Sequence, residues 1–345
     1  MTTSKSAINS NNENLVNRSS SSTETNNNYE NNNNNNNNKS TDSGKEMDMQ
    51  IYWSYVAGYA ILHVGALYGI WLSLTQASWT TLIFTFIFYI VTGFGATAGV
   101  HRLWSHRAYK AKLPLRILLA YFNCTLYIGP IYEWCRDHRV HHKYTETHAD
   151  PYNAKRGFFF SHIGWLMCKK HPDVIAAGKK IDMSDIESDS VCRFQRKYYM
   201  PLTILSCFII PTFIPKLWGD SYWIGFWIPG LLRFVLQLHA GFLVNSIAHM
   251  PMYGRRPYDK NIYAAEIPLV SWYAGGEGFH NYHHTFPWDY GASELGWKWN
   301  PAKTFIDLMS AIGWAYDCKQ VNPELIKSRK ERTGDIKDCG PYGYY

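Results

Sequence analysis

The sequence predicts an all-α integral membrane protein, with four transmembrane helices beneath a cytosolic helical cap. Four apolar stretches, 51–74, 80–100, 199–218 and 222–244, each approach the roughly 20 residues that cross a bilayer as a helix. Lys and Arg crowd instead into two long segments, 102–197 and 255–332, and are absent from the 75–79 connection. The positive-inside rule places both basic segments, with the amino-terminal tail, in the cytosol. A third observation concerns the cap: eight of fourteen histidines fall in HRLWSH (101–106), HRVHH (138–142) and HNYHH (280–284).

Residues 1–48 come first along the chain. They are rich in Ser, Asn and Thr, include an Asn run at 31–38, and offer only Ile8, Leu15, Val16 and Tyr29 as sizeable apolar residues before Met47. Such a segment cannot bury enough surface to offset its chain entropy and is expected to be disordered. It also lacks the apolar run of a cleavable signal peptide. The membrane domain is expected over 49–335, with a short tail at 336–345. Its spans form two hairpins, the second turning around Gly219 and Asp220.

A fifth apolar stretch, 113–132, is nearly long enough to cross. A crossing there would put the first two histidine clusters on opposite sides of the bilayer. Parity therefore predicts that it lies along the interface or inside the protein. Pro114 and the Gly129–Pro130 pair bound it as one short helix. Within the spans, His63, Arg233, Gln237 and His239 are costly in hydrocarbon unless they face the protein interior. Inward hydrogen bonding is expected for His63 and Arg233, while His239 sits on the helix leading to the candidate metal site. The seven cysteines form no CxxC pair, so neither a disulfide framework nor a thiolate zinc site is expected.

Imidazole is the commonest nitrogen ligand of transition metals. A structural zinc site takes four ligands and usually recruits cysteine. Eight imidazoles exceed that and point to two ions sharing one site. On an α-helix, positions i, i+3 and i+4 share a face. His138, His141 and His142, and likewise His280, His283 and His284, can each aim three imidazoles into one space. His101 and His106 differ. Five residues is roughly 500° of helix, which leaves them about 140° apart, so the helix has to end or bend between them.

His249, in NSIAH (245–249), is a ninth candidate, and helical spacing puts Asn245 on its face. Nine imidazoles on two six-coordinate ions leave about three positions for water, a water held by an amide, or dioxygen. A neutral nitrogen set without carboxylates gives a cationic centre, consistent with iron doing oxygen chemistry. His148, His162 and His171 stand apart and are expected to be structural or at the surface. His148, in ETHAD, is the best of them as a hydrogen-bond partner behind a ligand.

These residues carry a resemblance. Over about 50–335 the chain is similar to the membrane-bound acyl-CoA desaturases of the stearoyl-CoA Δ9 type. HRLWSH, EWCRDHRVHHKYTETHADPYNAKRGFFFSHIGW (133–165), NSIAH and GEGFHNYHHTFPWDY (276–290) all look like that family, and four such blocks in this order are a specific signature. The resemblance implies a four-helix membrane stem under a cytosolic cap that holds a di-iron site. The two Fe2+ ions would be bound by His101, His106, His138, His141, His142, His249, His280, His283 and His284, with Asn245 holding a water. It implies removal of two hydrogens from an unactivated methylene pair of a saturated acyl-CoA, using dioxygen. The two electrons come from cytochrome b5 and its NADH-dependent reductase, at the endoplasmic reticulum membrane. No HPGG heme motif occurs here, so the electron donor is expected to be a separate protein. Membrane lipid surrounds the stem, and no nucleic-acid partner is expected.

Successive methylenes are chemically alike, so position has to choose among them. A narrow apolar tunnel holding the chain at one depth against the metals supplies that choice. By the resemblance, Arg136, Asp137, Lys169 and Lys170 serve the CoA headgroup. Trp134 shapes the tunnel, and Tyr89 closes its far end. The competing reading of those charges is a solvated surface. Two departures bear on the product. Animal-type members have Gln-Asn-Asp where this chain has Ile128, Gly129 and Pro130, and a threonine at the tunnel bend is matched by Gly241. Desaturation is expected, with Δ9 placement depending on those positions. The alternatives are another regioselectivity, a hydroxylase using the same clusters, and a non-catalytic metal-binding membrane protein. Scarce intramembrane carboxylates argue against transport.

Overall fold

The computed structural model describes residues 49–294 and 299–335. The segments 1–48 and 336–345, read above as a disordered region and a short tail, lie outside the described residues. Eight helices position the site: α1 (Trp53–Thr75), α2 (Trp79–Ser105), α3 (Leu113–Cys124), α4 (Ile131–Tyr144), α5 (Tyr199–Trp218), α6 (Tyr222–His249), α7 (His280–Thr285) and α8 (Pro301–Ala311). Among the described residues α1, α2, α5 and α6 are long and apolar enough to cross a membrane. α2 and α6 outrun the apolar stretches that mark them, because their helical hydrogen bonding continues into the polar histidine segments.

The two hairpin turns lie together. Ser78 caps α2 by accepting from the Thr81 N–H. The Ser78 and Thr81 hydroxyls both donate to Asp220 in the second turn, at 2.7 and 2.5 Å. The Trp218 indole donates to Thr81 at 2.7 Å. The opposite ends of α2 and α6 carry His101 and His249, so the histidine segments emerge on one side, as parity requires.

α3 has 12 residues, about 18 Å of helix and too short to span. It buries Leu115 and Leu119 and exposes Ile117 and Tyr121. Gly95 is where it docks on α2: a Cβ there would lie 2.4 Å from the Asn123 backbone nitrogen. α3 does not cross, but it also does not run on to Pro130 as one helix. Arg233, fully buried on α6, takes the Thr125 carbonyl at 2.8 Å together with the Cys207 carbonyl at 3.0 Å. The helix ends at Cys124 with Thr125 as its cap, and the chain turns through Tyr127 at φ 51° into α4. Arg233 also reaches Gln237 at 2.5 Å, which is the inward bonding expected of it.

α6 is the central helix, with 61% of its apolar 18-residue stretch buried against 22–28% for the others. Those three present Trp53, Leu67, Leu74, Trp79 and Leu217 outward, the apolar band a bilayer requires. Val100, Leu103, Leu119, Ile131, Ile186 and Ile306 form the core under the cap. The only ladder among the described residues is a two-residue antiparallel pair, Lys110 with Tyr316 and Ala111 with Ala315.

Candidate metal centre

From Gly95 to Ser105, α2 changes to π-helical hydrogen bonding, and the His106 N–H donates to the His101 carbonyl at 3.2 Å. Where i bonds i+5, residues five apart stack on one face. HRLWSH, out of phase for an α-helix, thereby brings its two imidazoles together, with ring centroids 5.0 Å apart. The helix does end between them, at Ser105, and it has already widened into π geometry when it does.

Nine imidazoles gather in two groups. His101, His106, His138, His142 and His283 form one; His141, His249, His280 and His284 form the other, with candidate ligand atoms in each group all within 4.8 Å of one another. Each HxxHH cluster splits. On α4, His138 and His142 enter the first group and His141 the second; on α7, His280 and His284 enter the second and His283 the first. The expectation that each cluster aims three rings into one space is corrected. Positions i and i+4 nearly align along a helix, while i+3 lies to one side, so one helix serves two adjacent groups. The register argument for Asn245 also changes. α-Helical geometry stops at Asn245, and His249 follows on a 3₁₀ turn.

Carboxylates hold the rings from behind. His101 donates through Nδ1 to Glu277 at 2.7 Å, and His141 through Nδ1 to Asp150 at 2.9 Å. Burial alone would raise Glu277, but Arg102 and His101 hold it at about 2. Asp150 likewise stays below the usual carboxylate range against burial, through His141 and the backbone N–H groups of Glu146 and Tyr152. Arg102 is buried and also donates to the Tyr290 and Gly291 carbonyls at 3.0 and 3.1 Å, which ties α2 to the segment before α8. Burial, with neighbouring imidazoles, pushes His106, His138, His142, His280, His283 and His284 well below the usual range. These rings are neutral.

That arrangement fits metal ions. A neutral imidazole whose proton is fixed on Nδ1 presents a bare lone pair at Nε2. The Nε2 of His283 lies 2.9 Å from that of His101 and 3.0 Å from that of His142. In the second group, the Nε2 of His249 lies 3.1 Å from that of His141 and 2.9 Å from that of His280. One ring nitrogen cannot donate to two others, so a shared cation is what the convergence suits. All the donors are imidazole nitrogens, with carboxylates one layer out.

A cavity of about 510 Å³ meets this centre. His101, His138 and Asn245 stand on its wall, with Trp134, Asp137 and Lys170 from the cap and Tyr89, Gln237 and Gly241 from the spans. Trp134 stacks on His138, centroids 4.8 Å apart, and the Tyr89 hydroxyl donates to the Tyr273 carbonyl at 2.7 Å. Arg136 and Lys169 are not on the wall. Arg136 pairs with Asp137 at 2.8 Å, Lys170 with the same carboxylate, and Lys169 contributes its backbone N–H to Gln50. Ile128 and Gly129 line the cavity beside Gly241.

Sequence reasoning missed Arg102, Asp150 and Glu277. The signal was present in part: Glu277 precedes His280 by three residues, and ETHAD was singled out for the wrong member. His148 is exposed and stacks on His171 at 5.3 Å; Asp150 holds His141 instead.

Fold and site together define a class: a multi-pass membrane protein with an all-histidine cluster that could hold metal ions and opens onto an apolar cavity. The fatty acid desaturase family model matches residues 77–300, and the chain belongs to that family. It is 52% identical over 286 residues to stearoyl-CoA desaturase 5 of Bos taurus, covering 83% of this chain and 84% of the relative. Identity to the acyl-CoA desaturase of Cyprinus carpio is 53% over 287 residues, 83% and 87% of the two chains. An acyl-CoA Delta(11) desaturase of Spodoptera littoralis is 50% identical over 295 residues, 85% and 86% of the two chains.

Proposed function

We propose that the protein is an acyl-CoA desaturase that places a cis double bond, at Δ9, in a saturated acyl-CoA such as stearoyl- or palmitoyl-CoA. It uses dioxygen and two electrons passed from an NADH-dependent reductase through cytochrome b5. It acts in the endoplasmic reticulum membrane with its centre facing the cytosol. The observation that carries this is the double group of nine converging imidazoles, six of them buried, that meets one apolar cavity at His101 and His138. Two Fe2+ ions held there supply oxidation of unactivated C–H bonds by dioxygen.

The chain's own residues do the rest. The nine histidines named above would hold the ions, and Asn245, on the cavity wall, would hold a water for them. Glu277 and Asp150 fix His101 and His141 with Nδ1 protonated, so Nε2 faces the metals. Trp134 shields His138 and narrows the passage. Asp137 and Lys170 stand on the wall for the polar end of the substrate, with Arg136 and Lys169 behind them at the surface. Tyr89, anchored to Tyr273, closes the apolar end. Expression in a desaturase-null host, followed by gas chromatography–mass spectrometry with double-bond derivatisation, tests this. Palmitoleate and oleate are expected; a hydroxylated product without an alkene overturns the reading.

Gly241 sets where the chain bends. A Cβ added there would meet nothing within 4 Å, so a side chain can start into the cavity at this point without a clash. Gly241→Thr is expected to move the product distribution toward another chain length or bond position while metal content stays the same. The same product analysis reads it.

A further inference from the structure

His63, His162 and His239 have no place in the metal centre, yet they join. The His63 Nδ1 meets the Tyr59 carbonyl at 2.6 Å, and its Nε2 meets the His239 Nε2 at 2.9 Å. The His239 Nδ1 meets the His162 Nε2 at 3.0 Å, and the His162 Nδ1 meets the Ser246 hydroxyl at 2.9 Å. Ser246 in turn meets the Phe242 carbonyl at 2.7 Å. The chain thus links α1, the short helix Phe158–His162 and the break in α6 immediately after Asn245.

Five contacts need five hydrogens. Three neutral imidazoles supply one each and the serine supplies one, which makes four. Both terminal carbonyls can only accept, so reversing the chain does not close the deficit. One contact lacks its hydrogen unless the chain carries a further cation. A metal ion does not fit, because His239 turns opposite ring nitrogens to its two neighbours and no single ion reaches all three rings. A proton does fit.

We propose that His63, His239 and His162 bind one proton beyond their neutral forms, share it along the chain, and lend it at Ser246 to the reaction. Neither terminal carbonyl can take a proton, so loading and release both require the Ser246 hydroxyl, one residue from Asn245, to turn away from the Phe242 carbonyl. This rests on the reading that dioxygen is reduced at the histidine centre. There, –CH2–CH2– + O2 + 2 e− + 2 H+ gives –CH=CH– + 2 H2O, and each turnover consumes two protons. Burial, with His239 beside it, pushes His162 down to about 4. The charged neighbours acting on His162 are His239 and His63. What offsets burial is that the added proton has an acceptor on both sides wherever it sits.

The full chain in lipid nanodiscs, with 15N-labelled histidine rings, tests this by NMR titration. The ring nitrogens of His63, His239 and His162 are expected to move together in a single one-proton step between about pH 5 and 8. His162 titrating alone near 4, with the other two unchanged, overturns the proposal. That measurement needs neither a variant nor turnover. His239→Asn keeps an amide for hydrogen bonding but cannot hold a proton. It is expected to lose the joint step and on the order of tenfold or more in kcat, with KM for stearoyl-CoA and metal content unchanged. An unchanged kcat overturns the role in proton supply, whereas absence of alkene from the unaltered protein would sink the desaturase reading instead.

Discussion

His283→Ala is expected to end product formation and to leave the protein with one metal ion in place of two. The Nε2 of His283 touches those of both His101 and His142, so the first group loses its middle donor rather than a peripheral one. An alanine brings no donor, and the buried space left is too enclosed for a flexible side chain to replace the ring. His280 and His284, on the other side of the same short helix, keep the second group. Product is expected to fall by more than about a thousandfold, since the remaining ion lacks the partner that shares the redox chemistry. Elemental analysis gives the ion count, and the fatty-acid profile of a desaturase-deficient host gives the activity. His148→Ala, at an exposed ring stacked only on His171, is expected to change neither. Full activity in the His283 variant would remove it from the ligand set.

The membrane architecture was legible because hydropathy, Lys and Arg placement and histidine parity are independent constraints that agree. Span ends were less legible. Apolar runs stop where water begins, but α2 and α6 carry helical hydrogen bonding past that point to deliver His101 and His249. The 113–132 stretch shows the same limit: a single buried Arg233, distant in sequence, holds the Thr125 carbonyl where the chain leaves α3. Spacing identified the histidines that meet, since i, i+3 and i+4 are geometric facts. It did not show how they divide, because i, i+3 and i+4 count as one face until the fold brings a second group of rings alongside the i+3 position. Nor does a five-residue spacing reveal a π-helix, which needs the packing of Gly95 and its neighbours against α3 to stabilise it. The His63–His239–His162 chain was beyond reach for the same reason. Each ring read separately is a polar residue in need of a partner, and only the fold makes them partners of one another.

Glu277→Gln is expected to weaken one metal ion selectively. The carboxylate spends one oxygen on the His101 Nδ1–H at 2.7 Å and the other on Arg102 at 2.8 Å. An amide has one accepting oxygen, and its NH2 must then face one of two donors. If it faces His101, the imidazole keeps its proton on Nε2 and loses the lone pair that the first group needs. Losing such a partner behind a ligand typically costs 10- to 100-fold in metal affinity. The variant is expected to lose one ion to a chelator that leaves the unaltered protein intact, and to recover activity in excess Fe2+. Glu277→Ala separates this from a packing effect. It strips the countercharge from Arg102, which is 1% exposed. Breaking a buried pair in this way costs about 3–5 kcal/mol, a large part of typical net stability. That variant is expected to fail to accumulate in the membrane, with no rescue by iron. If the Gln variant keeps both ions through chelation, Glu277 does not hold His101 for metal, and its partnership with Arg102 is structural.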